Sequence, residues 1–223
     1  MSIKELFTKM HSGEIYDPMD EELMSYQETL IEKVNQYNQT PATPEGLAQR
    51  ESMLKELFAS VGEGSYIEPP FHANFGGLHV HIGAATMSDL HYCRLVRNYQ
   101  RLENVIDTFM AHSRRGNNSR WCHTLQGIDF SNCRTKRDIL EAMNGDRYFK
   151  VNAASYSRHR TIEFRQHQGS TDYEKISNWV RFLAKLVEYS YKHEITTCTR
   201  IEDVPFLTDE EKQYFIRRRV TLN

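Results

Sequence analysis

Two short segments in which apolar and polar residues alternate constrain the fold of this chain more than any other feature. They are GLHVHIG, residues 77–83, and RTIEFRQH, residues 160–167. Successive side chains of a β-strand point to opposite faces, so each segment predicts a strand with one apolar and one polar face. RYFKVNAASY, residues 147–156, predicts another strand, which pairs with RTIEFRQH through a polar turn around Ser157. The polar faces of these strands are candidates for a functional site.

Most of the remaining chain has the periodicity of amphipathic helices. Helices are predicted to begin near residues 2, 19, 43, 88, 135, 176 and 208. The first three are short and mostly polar, which favours a small cap over a self-sufficient core. The helix from residue 88 is predicted to run to about Ala111. Thr135 with Asp138, and Thr208 with Glu211, have the spacing of capping boxes.

The net charge of −2 hides an uneven distribution of charged residues. Residues 1–65 carry 5 Lys and Arg against 12 Asp and Glu, whereas residues 114–165 carry 11 against 5. The basic middle suits an anionic ligand such as a nucleotide. Docking of the acidic part on the basic part explains the same asymmetry equally well. The net charge itself gives no reason to expect a nucleic-acid or membrane partner.

The four cysteines have no CxxC spacing, which is typical of reduced, buried thiols rather than of a disulfide framework or a zinc knuckle. No apolar run approaches the length of a membrane span. The N-terminus, MSIKELFTKM, lacks the apolar core of a signal peptide. We therefore expect a cytoplasmic protein with no membrane partner.

His79 and His81 are two residues apart and are predicted to project from the same face of one strand. Two imidazoles on one rigid face suit a metal ligand beside a phosphate contact, or a two-point metal site. A pair of surface histidines, or of histidines with ordinary protein partners, is the alternative. The HxH pattern alone favours that alternative.

Glu163, Arg165 and His167 share the polar face of the second alternating segment. A carboxylate beside a guanidinium suits the binding of Mg²⁺ and of a phosphoryl oxygen, a common division of roles in phosphoryl transfer. The alternative is a salt bridge on a solvated face of the sheet, which is common in proteins.

Two basic segments add to this pattern. SRRGNN presents Arg114 and Arg115 beside two asparagines and suits the binding of an anion. DRYFKVN places Arg147 and Lys150 close to Asn152. Each segment alone is compatible with a solvated basic loop. Together with the two polar strand faces they predict a site for an anion and a metal ion.

Several established motifs are absent from the printed sequence. It has no glycine-rich phosphate loop of the Walker type, no GxSxG elbow and no HExxH pair. No cysteine has the local signature of a nucleophile. These absences argue against the corresponding enzyme classes.

Four segments in order, GLHVHIGA, SRRGNN, GDRYFKVN and RTIEFRQHQGSTDYEKISNWVRFL, resemble the amidoligase family. The resemblance covers about residues 76–195, and the family is related to glutamine synthetase and the carboxylate–amine ligases. It implies an ATP-dependent ligase in which an antiparallel sheet lines the site. ATP would phosphorylate a carboxylate, and an amine would attack the acyl phosphate to give an amide. The implied substrates are small-molecule or peptide carboxylates and amines.

The resemblance also implies roles for individual residues. It implies Mg²⁺ ligands at His79 and Glu163, catalytic contacts to the acyl phosphate at Arg115, Arg147 and Arg165, and ATP contacts at His81, Arg114 and Asn152. In full-length members a preceding half carries a G-x-E-x-E strand that completes the metal site, and no such motif occurs in the printed sequence. Glu63 and Glu68 are the candidate substitutes. A single identifiable carboxylate supplies Mg²⁺ with too few oxygen ligands. The sequence therefore leaves open whether the protein is catalytically active.

The first part of the chain resembles a different family. GEIYDPMDEELMSYQ, NQTPATPEGLAQRESMLKELFASVGEG and YIEPPFHANFGG resemble the N-terminal cap of maltose and galactoside O-acetyltransferases, up to about residue 83. In that family the cap precedes a β-helix of hexapeptide repeats, which binds acetyl-CoA and supplies the catalytic histidine. No such repeats follow in the printed sequence. Asp17 resembles a contact of that cap to the acceptor sugar. The chain is thus predicted to be a chimera.

We predict an α+β fold, with an antiparallel sheet and packed helices after a small helical cap. The predicted parts are an acetyltransferase-like cap (1–70), a partial amidoligase-like domain (71–195) and a C-terminal helical tail (196–223). The leading hypothesis is an ATP-dependent amide-forming ligase, active or catalytically incomplete. One alternative is a sugar O-acetyltransferase relative without its β-helix. The other is a non-catalytic module that binds a partner or acts as an inhibitor, and an oligomer stays open.

Overall fold

The computed structural model describes residues 2–12, 20–58, 67, 73–74, 77–170 and 172–222. The chain divides into two units. The first unit comprises Met1–Leu78 and Gly169–Ile176, and the second comprises His79–Gln168 and Ser177–Asn223. The boundaries predicted from the sequence at residues 70 and 195 stay predictions. Within the described ranges, no helix is long and apolar enough to cross a membrane.

Helices and short strands alternate along the chain. The helices are α1 (Ile3–Ser12), α2 (Glu21–Asn38), α3 (Pro44–Leu57), α4 (Asp89–Asp107), α5 (Lys136–Ala142), α6 (Ser155–His159), α7 (Tyr173–Ser190) and α8 (Asp209–Thr221). The strands are β1 (Ala73–Asn74), β2 (Gly77–Gly83), β3 (Val151–Asn152) and β4 (Thr161–His167). This mixture confirms the predicted α+β class and the helical N-terminal part.

Three helices build most of the first unit. The side chain of Asp20 caps α2, and that of Thr43 caps α3, in which Pro44 takes the first position. α2 packs against both α1 and α3. The apolar side chains buried in these helices include Leu6, Leu23, Val34, Tyr37 and Leu54. The helical cap therefore contains a small apolar core.

The position of β4 in the sheet determines which side chains meet in the second unit. The strand order is β1-β2-β4-β3, so β4 lies between β2 and β3. β3 pairs antiparallel with β4, and this register places Val151 opposite Phe164 and Asn152 opposite Glu163. Every residue from Ile162 to His167 is buried. The polar face of β4 is therefore not the solvated face that a surface salt bridge would need.

Aromatic side chains pack the helices of the second unit around the sheet. Tyr99 of α4 contacts Phe164 of β4, with ring centroids 5.4 Å apart. Phe109 follows α4 and packs against Phe182 of α7 and Phe215 of α8, at 5.9 and 4.5 Å. α4 thus covers the apolar side of β4, and the end of α4 shares one aromatic core with the middle of α7 and of α8.

Several local predictions are confirmed. The capping boxes at the starts of α5 and α8 are present, formed by Thr135 with Asp138 and by Thr208 with Glu211. The four cysteines are free thiols, and all of them except Cys198 are buried.

The structure differs from the sequence prediction at two places. α4 ends at Asp107, four residues early, where the Thr108 hydroxyl donates to a carbonyl of the last turn at 2.7 Å. The strand predicted over 147–156 is reduced to β3, and α6 replaces the polar turn around Ser157. Arg160 then adopts a left-handed conformation, with φ at 57°, which ends α6 and returns the chain into β4.

Candidate functional site

Glu163 lies at the centre of a group of polar side chains from β2, β3 and β4. Its Oε1 is 2.8 Å from His79 Nδ1 and 2.8 Å from Arg165 Nη1. Its Oε2 accepts a hydrogen bond of 2.5 Å from Asn152 Nδ2. The strand order explains this convergence, because β4 lies between the strands that carry His79 and Asn152. We call His79, His81, Asn152, Glu163 and Arg165 the Glu163 cluster.

The surroundings of Glu163 keep its carboxyl group ionised. Burial raises its pKa, but the hydrogen bond from His79, the charge of Arg165 and the hydrogen bond from Asn152 together lower the pKa to about 2. The side chain is 5% exposed, so these donors take the place of water around the charge. A group that stays charged at neutral pH positions other groups and does not carry protons.

Two polar atoms of the cluster have no hydrogen-bond partner among the described residues. They are the donor Arg165 Nε and the acceptor Asn152 Oδ1. Arg165 is 5% exposed and Asn152 is 4% exposed. Because Asn152 Nδ2 donates to a carboxylate, which can only accept, the orientation of the amide is fixed. Buried polar atoms are nearly always paired, so these two are open to a water or a ligand that supplies one acceptor and one donor.

His81 connects the cluster to two hydroxyl groups. Its Nε2 is 3.7 Å from Glu163 Oε1, and its Nδ1 is 2.9 Å from Thr161 Oγ1 and 3.3 Å from Ser155 Oγ. The two hydroxyl oxygens are 2.8 Å apart. The side chains of His79 and His81 are 22% and 27% exposed. The two imidazoles are therefore more exposed to solvent than the carboxylate that they flank.

The contacts described for Arg114 and Arg115 are with groups other than Glu163. Arg115 Nε donates to the carbonyl of Met110 at 2.9 Å, just beyond the end of α4. Burial raises the pKa of the Cys122 thiol, and the nearby Arg114 guanidinium opposes this rise through its charge and a hydrogen bond. The contacts of these two arginines to ATP and to the acyl phosphate stay predictions.

Arg147 shares an aromatic neighbour with Arg165 of the cluster. Its side chain is exposed, and its guanidinium carbon is 5.5 Å from the ring centroid of Tyr148. The guanidinium carbon of Arg165 is 5.7 Å from the same centroid. One aromatic ring thus contacts both guanidinium groups. The predicted catalytic role of Arg147 likewise stays a prediction.

Lys150 lies in the core, although the sequence grouped it with the anion-binding residues. Its Nζ is 2.8 Å from Glu103 Oε1 and 2.7 Å from Asp107 Oδ1. Thr124 donates to Glu103, and Gln166 donates to Asp107. The sequence analysis missed this network, although a signal exists. Glu103 and Asp107 are one helical turn apart and lie among the apolar residues of α4.

Magnesium does not fit the donors that the described residues present. Mg²⁺ prefers octahedral coordination by oxygen ligands. The cluster offers one carboxylate, and both oxygens of Glu163 already accept hydrogen bonds. Across the described part of the chain, no three His, Cys, Asp or Glu side chains are grouped to hold a metal ion. Glu63 and Glu68, the candidate substitutes, lie outside the described residues, as does Asp17.

Comparison with known families assigns the larger part of the chain. The profile of the family described as "Putative amidoligase enzyme" matches residues 70–187, which is more than half of the chain and includes the whole Glu163 cluster. The chain belongs to the amidoligase family. The resemblance predicted from the sequence is thereby confirmed.

The N-terminal part of the chain matches other proteins. Residues 9–62 match the maltose acetyltransferase hexapeptide capping motif. Galactoside O-acetyltransferase of Lactococcus lactis subsp. lactis (strain IL1403) is 40% identical over 80 residues, which cover 35% of this chain and 37% of that protein. The protein of the same name from Escherichia coli (strain K12) is 33% identical over 75 residues, 34% and 36% of the two chains.

The chain therefore spans about a third of the length of these acetyltransferases. The capping motif lies at residues 9–62 and the amidoligase match at residues 70–187, so the sequence is a chimera of two families. No solved structure matches the chain.

Proposed function

We propose that the amidoligase part of the chain binds the reactants of an ATP-dependent amide-bond formation at the Glu163 cluster. The observation that carries this proposal is the pair of buried atoms, Arg165 Nε and Asn152 Oδ1, that lack a partner within the described residues. In this reaction the terminal phosphoryl group of ATP passes to a carboxylate, and ADP is released. An amine then attacks the acyl carbon and loses a proton, phosphate leaves, and an amide remains.

The two unpartnered atoms suit the two reactants of the second step. Arg165 Nε donates to a phosphoryl oxygen of the acyl phosphate, and its guanidinium charge stabilises the leaving phosphate. Asn152 Oδ1 accepts an N–H of the amine and so orients the nucleophile towards the acyl carbon. Glu163 holds both side chains in place through its two oxygens.

The proton that the amine loses needs an acceptor at the same place. Glu163 does not fill this role, because its pKa is lowered to about 2. His79 and His81 are partly exposed and flank the carboxylate. Imidazoles accept protons near neutral pH, so the proposal assigns proton transfer to this pair.

The proposal separates binding from turnover. Phosphoryl transfer is usually assisted by metal ions that neutralise the developing charge. The donors of the Glu163 cluster do not fit Mg²⁺, and Arg165 is its only guanidinium group. We therefore propose that this chain binds phosphate-bearing reactants and turns them over slowly by itself.

Calorimetry with ATP, tripolyphosphate and acetyl phosphate tests the binding site. Arg165→Lys keeps the charge but removes the forked donor, and binding of all three ligands should weaken about 10-fold or more. Arg137→Lys is the matched control, because Arg137 is 84% exposed and pairs with Glu141 on the surface of α5. It should leave binding unchanged.

Two results would overturn the proposal. One is the failure of all three ligands to bind, with or without Mg²⁺. The other is equal binding by the Arg165→Lys and Arg137→Lys proteins, which would place the ligand elsewhere. Release of ADP that requires both a carboxylate and an amine would show complete ligase activity.

The N-terminal match supports a second candidate function. We propose as an alternative that the first unit binds an acceptor sugar or a protein partner, as a cap separated from its acetyltransferase. The 40% identity to a galactoside O-acetyltransferase favours this proposal. Binding of a galactoside that Arg165→Lys leaves unchanged would support it. A partner captured equally by the unmodified protein and by Glu163→Ala would favour a non-catalytic module.

A further inference from the structure

The exposed Trp121 contacts Tyr148, whose ring also contacts Arg165 of the Glu163 cluster. The side chain of Trp121 is 48% exposed, whereas the other tryptophan, Trp179, is 1% exposed. The Arg120 guanidinium carbon lies 4.6 Å from the Trp121 ring centroid. The Tyr148 ring lies edge-on to Trp121, with centroids 5.0 Å apart and planes at 68°. Trp121 is thus a large aromatic surface in a basic environment.

Backbone hydrogen bonds fix the position of this tryptophan. The segment that follows Trp121 runs beside the segment before β3, because His123 N donates to Tyr148 O at 2.7 Å and Lys150 N donates to His123 O at 2.9 Å. The Cys122 thiol contacts the carbonyl of Arg165 at 3.7 Å. Trp121 is therefore held in place by the same strands that build the Glu163 cluster.

Tyr148 connects Trp121 to the cluster. Its ring centroid is 5.7 Å from the guanidinium carbon of Arg165 and 5.5 Å from that of Arg147. The nearby carboxylate of Asp146 is already engaged, since it accepts from Tyr148 N at 2.8 Å and lies 3.5 Å from His123 Nδ1. The guanidinium groups of Arg120, Arg147 and Arg165 thus lie beside the Trp121 and Tyr148 rings, an arrangement that suits an anionic ligand.

We propose that Trp121 stacks on the base of the nucleotide whose phosphates reach Arg147 and Arg165. This inference rests on the proposed function, in which ATP is a substrate. Every nucleobase has a flat π face that stacks on aromatic side chains, and arginine forks bind phosphate oxygens. The Trp121 and Tyr148 ring centroids are 5.0 Å apart, and the Tyr148 centroid is 5.7 Å from the Arg165 guanidinium carbon. These two distances place the Trp121 ring and the Arg165 guanidinium within the span of an extended nucleoside triphosphate.

The two tryptophans of the chain allow a direct test. In Trp179→Phe, Trp121 is the only tryptophan and its fluorescence reports on its own surroundings. ATP should quench this fluorescence, whereas tripolyphosphate, which has no base, should bind without quenching. By calorimetry, Trp121→Ala should weaken ATP binding about 10-fold and leave tripolyphosphate binding unchanged. Trp121→Phe keeps a stacking surface and should retain most of the affinity for ATP.

The two ligands separate this inference from the proposed function. If tripolyphosphate and ATP bind with equal affinity and Trp121→Ala changes neither, the stacking role is overturned and the phosphate site stands. If neither ligand binds the unmodified protein, the proposed function and the stacking role both fail. Equal quenching by ATP and tripolyphosphate would also overturn the stacking role, because quenching would then not depend on the base.

Discussion

The ammonium group of Lys150 lies 2.8 Å from Glu103 Oε1, and neither side chain is exposed to solvent. A buried ion pair is stable only when its charges and remaining hydrogen-bonding atoms are satisfied. Glu103 also accepts from the Thr124 hydroxyl and from Leu125 N. The pair therefore ties α4 to the loop after Trp121 and to the start of β3.

Replacing Lys150 should destabilise the protein strongly. Lys150→Ala leaves Glu103 and Asp107 buried without their cation, and the free energy of unfolding in urea should fall by about 3–5 kcal/mol. Lys150→Met keeps the volume but not the charge, so a similar loss is expected. Lys55→Ala removes an exposed pair with Glu51 and should change stability by less than about 1 kcal/mol. A Lys150→Met protein as stable as the unmodified one would contradict this prediction.

The stabilising effect of Glu163 should depend on pH. Its pKa is about 2 in the folded protein, against 4.5 for an ordinary glutamate side chain. A lowered pKa means that the stabilisation is complete above about pH 4.5 and is lost as the pH falls towards 2. Glu163→Gln should therefore be less stable than the unmodified protein by about 1–3 kcal/mol at pH 6. The difference should shrink below pH 4.

Urea unfolding of both proteins between pH 3 and pH 7 measures this difference. Glu51→Gln is a suitable control, since Glu51 is 63% exposed and its pair with Lys55 lies on the surface of α3. A difference between the Glu163→Gln and unmodified proteins that stays constant over this range would refute the assigned pKa.

Gly46 should not tolerate a side chain. A Cβ atom at this position would overlap the carbonyl oxygen of Pro41. Although alanine favours helices over glycine, this overlap should make Gly46→Ala less stable by about 1–3 kcal/mol in thermal unfolding. Among the described residues no atom lies within 4 Å of a Cβ built at Gly83, so Gly83→Ala should change stability by less than about 0.5 kcal/mol.

The thiols should react slowly with alkylating reagents. Burial raises the pKa of Cys93 to about 11, and it also raises the pKa of Cys122, Cys133 and Cys198. Because the thiolate is the reactive form, iodoacetamide at pH 8 should modify the folded protein at least about 10-fold more slowly than the protein in urea. Mass spectrometry should find Cys198, the least buried, modified first. Rapid modification of Cys122 would contradict this prediction.

The elements of the fold that follow from local signals were predictable. The capping boxes at Thr135 and Thr208 depend on residues three positions apart, and both are present. The alternation of β2 and β4 is equally local. The replacement of the predicted turn by α6 was not predictable, because the left-handed Arg160 ends that helix and its carbonyl accepts a hydrogen bond from Ala84 N. That bond joins segments far apart in sequence.

Those parts of the site that follow from the alternation of side chains along a strand were predictable. Alternation alone placed Glu163 and Arg165 on one face, and the structure brings His79 to the same carboxylate. The long basic side chains were not predictable. Arg115 donates to a backbone carbonyl and Lys150 pairs with two acids of α4. A basic residue type does not reveal whether its partner is a ligand or the protein itself.

The hydrogen bond between His79 Nδ1 and Glu163 also determines which nitrogen of this imidazole is reactive. A carboxylate only accepts, so the neutral ring must be the Nδ1–H tautomer, and its lone pair lies on Nε2. Any incoming proton or metal ion must therefore bind at Nε2. The buried carboxylate, which does not itself titrate near neutral pH, thus fixes the ring of His79 with Nε2 as its remaining acceptor.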